Sequence, residues 1–259
     1  MKFLPPLLAT TLLMGCTATI GDTPPNGYEC PHNVYRHGDS TGVITQPVVS
    51  FVGWGGYWYN NSELSSYHSD WVSLIGKGDL FGKLSEYGVD NPIFNADTYI
   101  DSPTFTLIPQ GDGGTGDGGT VPPLSVLDDT EFVTIINSEI QTSILPLPQQ
   151  QGSTLYAVFL PPGYTSQFMA TNKYIGYHGM GYYGGVSYTF AILEYSAYPG
   201  DNPLISHELF EAFTDSDVLT GYYDKGGEEE VGDLCLGIYT DVDGFTVQKV
   251  WSQNGCKCL

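Results

Sequence analysis

The segment Asn202-Pro203-Leu204-Ile205-Ser206-His207-Glu208-Leu209-Phe210-Glu211-Ala212-Phe213-Thr214-Asp215 decides how the rest of the chain is read. Asn202 offers a capping side chain and Pro203 the fixed φ of a first helical turn, so a helix is expected over about 203–215. His207 and Glu211 stand four residues apart and share one face, one turn above the other. Leu209, Phe210, Ala212 and Phe213 surround them, which predicts a largely buried helix. A buried carboxylate is costly unless something neutralises it. An imidazole and a carboxylate at this spacing can grip a divalent cation, as the paired histidines of an HExxH helix do. Glu208 takes the position that such helices give to a general base, beside the cation but outside its ligand set. The plainer alternative is a hydrogen bond between His207 and Glu211 inside the core.

Zinc is the cation expected at a set of imidazole and carboxylate ligands. A third ligand is needed, and several residues compete for the place. Asp217 falls ten residues after His207, the spacing of metzincin-type helices, and Asp215 is nearer. The acidic run Glu228-Glu229-Glu230-Val231-Gly232-Asp233 can fold back, or can instead form a structural calcium site with the helix metal-free. His178, in Gly176-Tyr177-His178-Gly179, is a further ligand candidate. Tyr177 and Tyr222 are candidates for stabilising an oxyanion. His32, His37 and His68 read as surface residues.

Around this helix, Val48–Trp54 reads as a buried strand, Thr98–Ile108 as a second, and Leu155–Leu160 and Tyr188–Tyr195 as two more. Trp71, Leu74 and Ile75, then Leu80, Phe81 and Leu84, predict helical segments broken near Gly76 and Gly78. Ser125 or Asp128 caps a helix that runs to about Thr142, with Phe132, Ile135, Ile136 and Ile140 on one face. Strands interleaved with helices give an α+β, α/β-like single domain with a mixed twisted sheet, and the placing of the 203–215 helix after the last strands resembles the zincin layout. The repeat GDGGTGDGGTVPP, 111–123, reads as a surface loop.

Residues 1–15 read as a lipoprotein signal peptide: Lys2, an apolar run too short to span a bilayer, then Leu13-Met14-Gly15-Cys16, with Cys16 receiving the lipid. A Pro/Gly/Thr-rich tether is expected over 16–43 and the globular domain over 44–259. That makes the protein exported and lipid-anchored, on the outer membrane or cell surface. A net charge of −21 excludes a nucleic-acid partner, whose phosphates would be repelled. Without Cys16 an even set of cysteines remains, Cys30, Cys235, Cys256 and Cys258. In an oxidising compartment these predict disulfides, with Cys235 joined to Cys256 or Cys258 stapling the C-terminal region.

The stretch SHELFEAFTDSDVLTGYYDKGGEEEVGDLC resembles a group of uncharacterised exported bacterial proteins carrying SHELAEAVTDP and GEEIGDLC, distantly similar to the Exordium / phosphate-induced protein family. VSFVGWGGYW, LSEYGV, TLYAVFLPPGY, GYHG (a histidine turn) and VQKVWSQNGCKC extend the likeness over most of the mature chain. The resemblance implies a zincin-like domain. It departs from the bacterial pattern at Ser216, where proline is usual, and at Tyr223, near the usual tryptophan. The function expected is a membrane-anchored zinc-dependent hydrolase, a metallopeptidase acting on a peptide or protein. The alternative is a non-enzymatic, Exordium-like binding or adhesion protein, since the plant members lack the His-Glu pair.

Overall fold

Near-continuous apolar runs are what strands buried on both faces require, and two of them, Val48–Trp54 and Thr154–Phe159, lie side by side at the middle of the main sheet. In the computed structural model the described residues are 30–37, 42–59, 62–76, 80–100, 107–108, 125–149, 152–194, 202–224, 226–227 and 229–259. The signal segment, Cys16 and the 111–123 loop lie outside them. In chain order the strands are β1 (Val34–Arg36), β2 (Val48–Trp54), β3 (Ile93–Phe94), β4 (Thr98–Ile100), β5 (Leu107–Ile108), β6 (Ser125–Leu127), β7 (Thr154–Phe159), β8 (Tyr164–Ser166), β9 (Gly176–Tyr183), β10 (Val186–Leu193), β11 (Tyr222–Asp224), β12 (Tyr239–Val242), β13 (Phe245–Gln248), β14 (Trp251–Ser252) and β15 (Lys257–Cys258). The α-helices are α1 (Gly56–Tyr59), α2 (Glu63–Gly76), α3 (Asp129–Gln141), α4 (Gln167–Asn172) and α5 (Asn202–Thr214).

The main sheet runs β3-β2-β7-β10-β9, with β4 continuing alongside β2 beyond β3. All its pairings are parallel except β9 with β10, which places one antiparallel strand at the edge. Side chains alternate across the central strands, so each feeds two cores. Phe51, Ala157, Phe159 and Ala191 pack with Trp71 of α2 and with Leu209, Phe210 and Phe213 of α5. Val52, Tyr156, Val158, Tyr188 and Ile192 pack on the other face with Phe132, Ile136 and Ile140 of α3. The chain is thus an α+β structure with a mixed sheet between helices.

Several expectations shift by local chemistry. Asp128, not Ser125, caps α3: its carboxylate accepts from Thr130 N–H at 2.9 Å, while Ser125 opens β6. The strand expected over Thr98–Ile108 is two pieces in different sheets, β4 beside β2 and β5 beside β6; residues 101–106 fall outside the described set. The helical segments near Trp71 and Phe81 are α2 and a 3-10 turn, Phe81–Tyr87, closed by Gly88 at φ 82°.

GYHG is not a turn but the start of β9. Glycines normally weaken strands. Here Gly179 and Gly181 lie directly across from Phe190 and Tyr188, whose rings occupy the space that side chains at those positions would fill. The aromatic rings cover the glycines, and the strand survives. Within the expected tether, Val34–Arg36 pairs with β11 and Cys30 bonds to Cys256, so this stretch belongs to the fold. The second disulfide joins Cys235 to Cys258. No helix among the described residues is long and apolar enough to cross a membrane.

Candidate metal centre

α5 forms because its apolar residues bury against the sheet. Leu209, Phe210, Ala212 and Phe213 are each at most 1% exposed. That leaves His207, Glu208 and Glu211 on the remaining side, toward β9 and the loop after β11. Glu208 and Glu211 are still only 3% and 4% exposed. Two glycines make room for them. A Cβ at Gly176 would come 2.6 Å from Oε1 of Glu208, and one at Gly232 would come 2.6 Å from Oε1 of Glu211.

The loop that follows α5 is shaped by its own acids. Asp215 accepts from the Gly221 N–H at 2.9 Å with one oxygen and from the Tyr223 hydroxyl with the other. Asp217 accepts from Leu219 N–H, Thr220 N–H and the Thr220 hydroxyl. Both oxygens of each aspartate are thus given to the turn, and neither joins a cation-sized group. The chain then enters β11, and Tyr223 bridges to Glu230. Val231 is buried and its carbonyl accepts from Trp251 N–H, which delivers Glu230 and Asp233 to the face of α5. Cys235, two residues beyond Asp233, is pinned by Cys258.

Among the described residues two groups of three result, sharing Glu211, and in each the ligand atoms lie within 4.8 Å of one another. The first is His207, Glu211 and Asp233. Nε2 of His207 is 3.2 Å from Oε2 of Glu211 and 3.8 Å from Oδ1 of Asp233. The second is His178, Glu211 and Glu230, with Nε2 of His178 3.6 Å from Oε1 of Glu230.

Hydrogen-bond polarity separates the two. Nε2 of His178 lies 2.9 Å from the Asp215 carbonyl, an oxygen that can only accept. That nitrogen therefore carries a proton and has no lone pair for a metal. His178 is a ring inside an acidic nest, with Nδ1 3.7 Å from Oε2 of Glu208. The second group is an ion-pair cluster, whereas Nε2 of His207 faces only the Glu211 and Asp233 carboxylates.

The electrostatics treat the two rings alike. Burial works against a cation on His178, but Glu230, Glu208 and Glu211 outweigh it and hold its pKa well above the ordinary value. Burial likewise opposes charge on His207, and Glu211, Glu208 and Asp233 raise its pKa to about 9. Desolvation lifts Glu211 and lifts Glu230 well above the carboxylate range, partly countered by His207 and His178 respectively. Asp215 is pushed up to about 7 by burial, against the pull of His178.

The residues suit a divalent cation. Oε2 of Glu208, Oε1 of Glu211 and Oε1 of Glu230 are buried oxygens with no hydrogen-bond partner. Glu208 Oε2 and Glu230 Oε1 meet only His178, at 3.7 and 3.6 Å, and Oε1 of Glu211 meets no charged partner that would satisfy it, a place an ion can fill. Of the sequence-derived candidates, His207, Glu208, Glu211 and His178 converge, while Asp215 and Asp217 are structural. Tyr177 points to the opposite face, where its hydroxyl donates to Asp129 at 2.6 Å, and Tyr222 meets the Tyr87 ring edge-on, so neither is placed as an oxyanion donor at the cluster. His32, His37 and His68 are half-buried and apart from it. Gln248, whose amide nitrogen lies 2.8 Å from Nδ1 of His207, had no sequence signal, because a lone glutamine on a short strand marks nothing. No family model, curated protein or solved structure matches the chain.

Proposed function

We propose that this chain is an exported, lipid-anchored, zinc-dependent hydrolase of peptide bonds on a zincin-like fold. His207, Glu211 and Asp233 would hold the ion, and Glu208 would serve as general base. One observation carries the reading: an imidazole and two carboxylates meet within 4.8 Å, and Oε1 of Glu211 among them is buried with no hydrogen-bond partner. Zinc in such a set supplies Lewis acidity, enough to bring the pKa of water from 15.7 to about 7.

The chain's own groups do the rest. Glu208, one residue after the first ligand, takes the proton of the attacking water at Oε2 and hands it to the departing amine. His178, 3.7 Å from that oxygen, keeps the Glu208 carboxylate oriented between β9 and α5. A peptide substrate suits β9, whose outer edge has no strand partner among the described residues and runs beside the cluster. An extended segment adds to such an edge by backbone hydrogen bonds. α5 follows the last strands of the main sheet and packs on β9 and β10, as the zincin reading expects.

A metal-free binding or adhesion protein of the Exordium kind is the competing reading. It is favoured by the 3.2 Å approach of His207 to Glu211, close enough for a hydrogen bond that serves both. Elemental analysis of the full chain, purified without added metal, separates them. About one zinc per chain is expected. Calcium alone would favour a structural site, and no metal, with none taken up on dialysis against zinc, would end the hydrolase proposal.

A further inference from the structure

Beyond the C-terminal end of α5, on the α5 face of the main sheet, lies a cavity of about 240 Å³. Met180 and Tyr182 of β9, Ser187 and Thr189 of β10, and Ser216 and Asp217 of the loop after α5 line it. His178, Met180 and Tyr182 alternate along β9 and share that face, so the cavity begins two residues past the ring that contacts Glu208. The Thr189 hydroxyl donates to the Ser216 carbonyl at 3.3 Å and ties the loop to the sheet there. A pocket for a whole small molecule holds about 300–1,000 Å³. This one is sized for a single side chain.

The lining selects the kind of side chain. Asp217 is its acidic member, and none of its residues is basic. Oδ1 of Asp217 accepts from Leu219 N–H and Thr220 N–H, while Oδ2 takes the Thr220 hydroxyl. A carboxylate has about four acceptor positions, two on each oxygen, so Oδ2 has room for a further donor. Tyr182, 58% exposed, supplies an aromatic ring at the mouth, a surface that cations favour. Met180 offers an apolar wall to an alkyl stem. Reach decides as well. A peptide paired with the outer edge of β9 lies one strand spacing, about 4.8 Å, farther from the cavity than β9 itself. Only a long side chain crosses that strand. The excess of 29 acidic over 8 basic residues draws cationic segments toward the chain.

We propose that this cavity is a specificity subsite that takes a lysine or arginine side chain of an extended peptide. The stem lies on Met180, and the charged head sits between Asp217 and Tyr182. The proposal rests on the hydrolase reading above and narrows its substrates to basic peptides. Asp217 then serves its own turn and the guest together.

The test uses the zinc-loaded full chain and fluorogenic peptides that are uncharged except for one lysine, moved stepwise through the sequence. A parallel set carries norleucine, which keeps the stem and lacks the ammonium. Mass spectrometry locates the cleaved bond, and fluorescence gives kcat/KM. Lysine is expected to exceed norleucine by about ten-fold at one position, within about three residues of the cleaved bond. In Asp217→Asn, whose amide oxygen can still accept from Leu219 and Thr220, that preference should vanish. Tyr182→Ala, at an exposed position, should lower the same preference about three-fold, and it reads the subsite if the melting temperature shows that Asp217→Asn has not folded. Equal cleavage of the two sets, or a lysine preference that survives in every folded variant, would overturn the subsite and leave the hydrolase standing. Cleavage of no peptide at all would overturn the hydrolase reading, and the subsite with it.

Discussion

Glu208 and Glu211 are neighbours on one helix with different surroundings. Glu211 faces His207 and Gly232, while Glu208 lies against Gly176 and His178. If Glu208 is the base, Glu208→Gln keeps the shape and the metal but loses the proton acceptor. Hydrolysis of a fluorogenic peptide library should fall about 10³-fold with zinc content unchanged, and retained turnover would remove Glu208 from the chemistry. Gly232 gives a second test. Its φ of −76° suits any residue, so Gly232→Ala acts by bulk alone. The added methyl would come 2.6 Å from Oε1 of Glu211 and displace that carboxylate. Zinc affinity by competition with a chelating dye should drop by about ten-fold. His207, Glu208 and Glu211 were legible from spacing, but the roles of Asp215 and Asp217 were not. An aspartate near a helix end is equally suited to a turn or a ligand, and only its donors decide.

Among the elements, β9 is where the sequence misleads. Gly176-Tyr177-His178-Gly179-Met180-Gly181 lacks the β-branched run of a strand, yet it pairs with β10 over eight residues. The signal is on the partner strand, where Tyr188 and Phe190 cover the glycines. A Cβ at Gly179 would sit 2.9 Å from Cζ of Phe190. Gly179→Ala should therefore cost about 1–3 kcal/mol in urea unfolding, and an unchanged midpoint would show that the ring yields freely. This strand also sets His178, whose partner Ala191 lies on the α5 face. Helix α5, by contrast, was readable because its proline and its apolar stripe are local, though it begins at Asn202, the residue read as its cap, and ends at Thr214.

Across the whole molecule, the centre depends on segments far apart in the chain. The Cys235–Cys258 bond closes a loop of 23 residues in sequence separation, two residues after Asp233. Replacing both cysteines by serine should cost about 3 kcal/mol of stability. It should also weaken zinc binding, because the Asp233 loop loses its anchor; calorimetry of the double variant measures both. Acid–base behaviour provides another global readout. Asp215 has a folded pKa of about 7 against an ordinary 3.8, so between these values the folded chain keeps a proton that the unfolded chain has released. His178, raised well above 6.5, and Glu230, raised well above 4.5, act in the same direction. Stability of the metal-free protein should therefore decline as pH rises from 5 to 8. A melting temperature that rises over that range would show that the cluster does not hold these protons. Zinc at 100 times its Kd should restore about 2.7 kcal/mol.

The sequence by itself determined the helix that carries His207, Glu208 and Glu211, the central apolar strands, the mixed α+β plan and an even set of pairing cysteines. The helix and the strands depend on residues within a turn or a strand's length of one another, and the plan and the cysteine set follow from their order and number. Only the tertiary structure decided that Asp233 stands beside His207 and Glu211, that Nε2 of His178 meets the Asp215 carbonyl, and that Gln248 faces the ring. The physical reason is hydrogen-bond polarity between distant segments. Whether a nitrogen gives or accepts a proton depends on the atom opposite it, and residues 178, 207, 233 and 248 meet only once the sheet and the C-terminal disulfide have placed them.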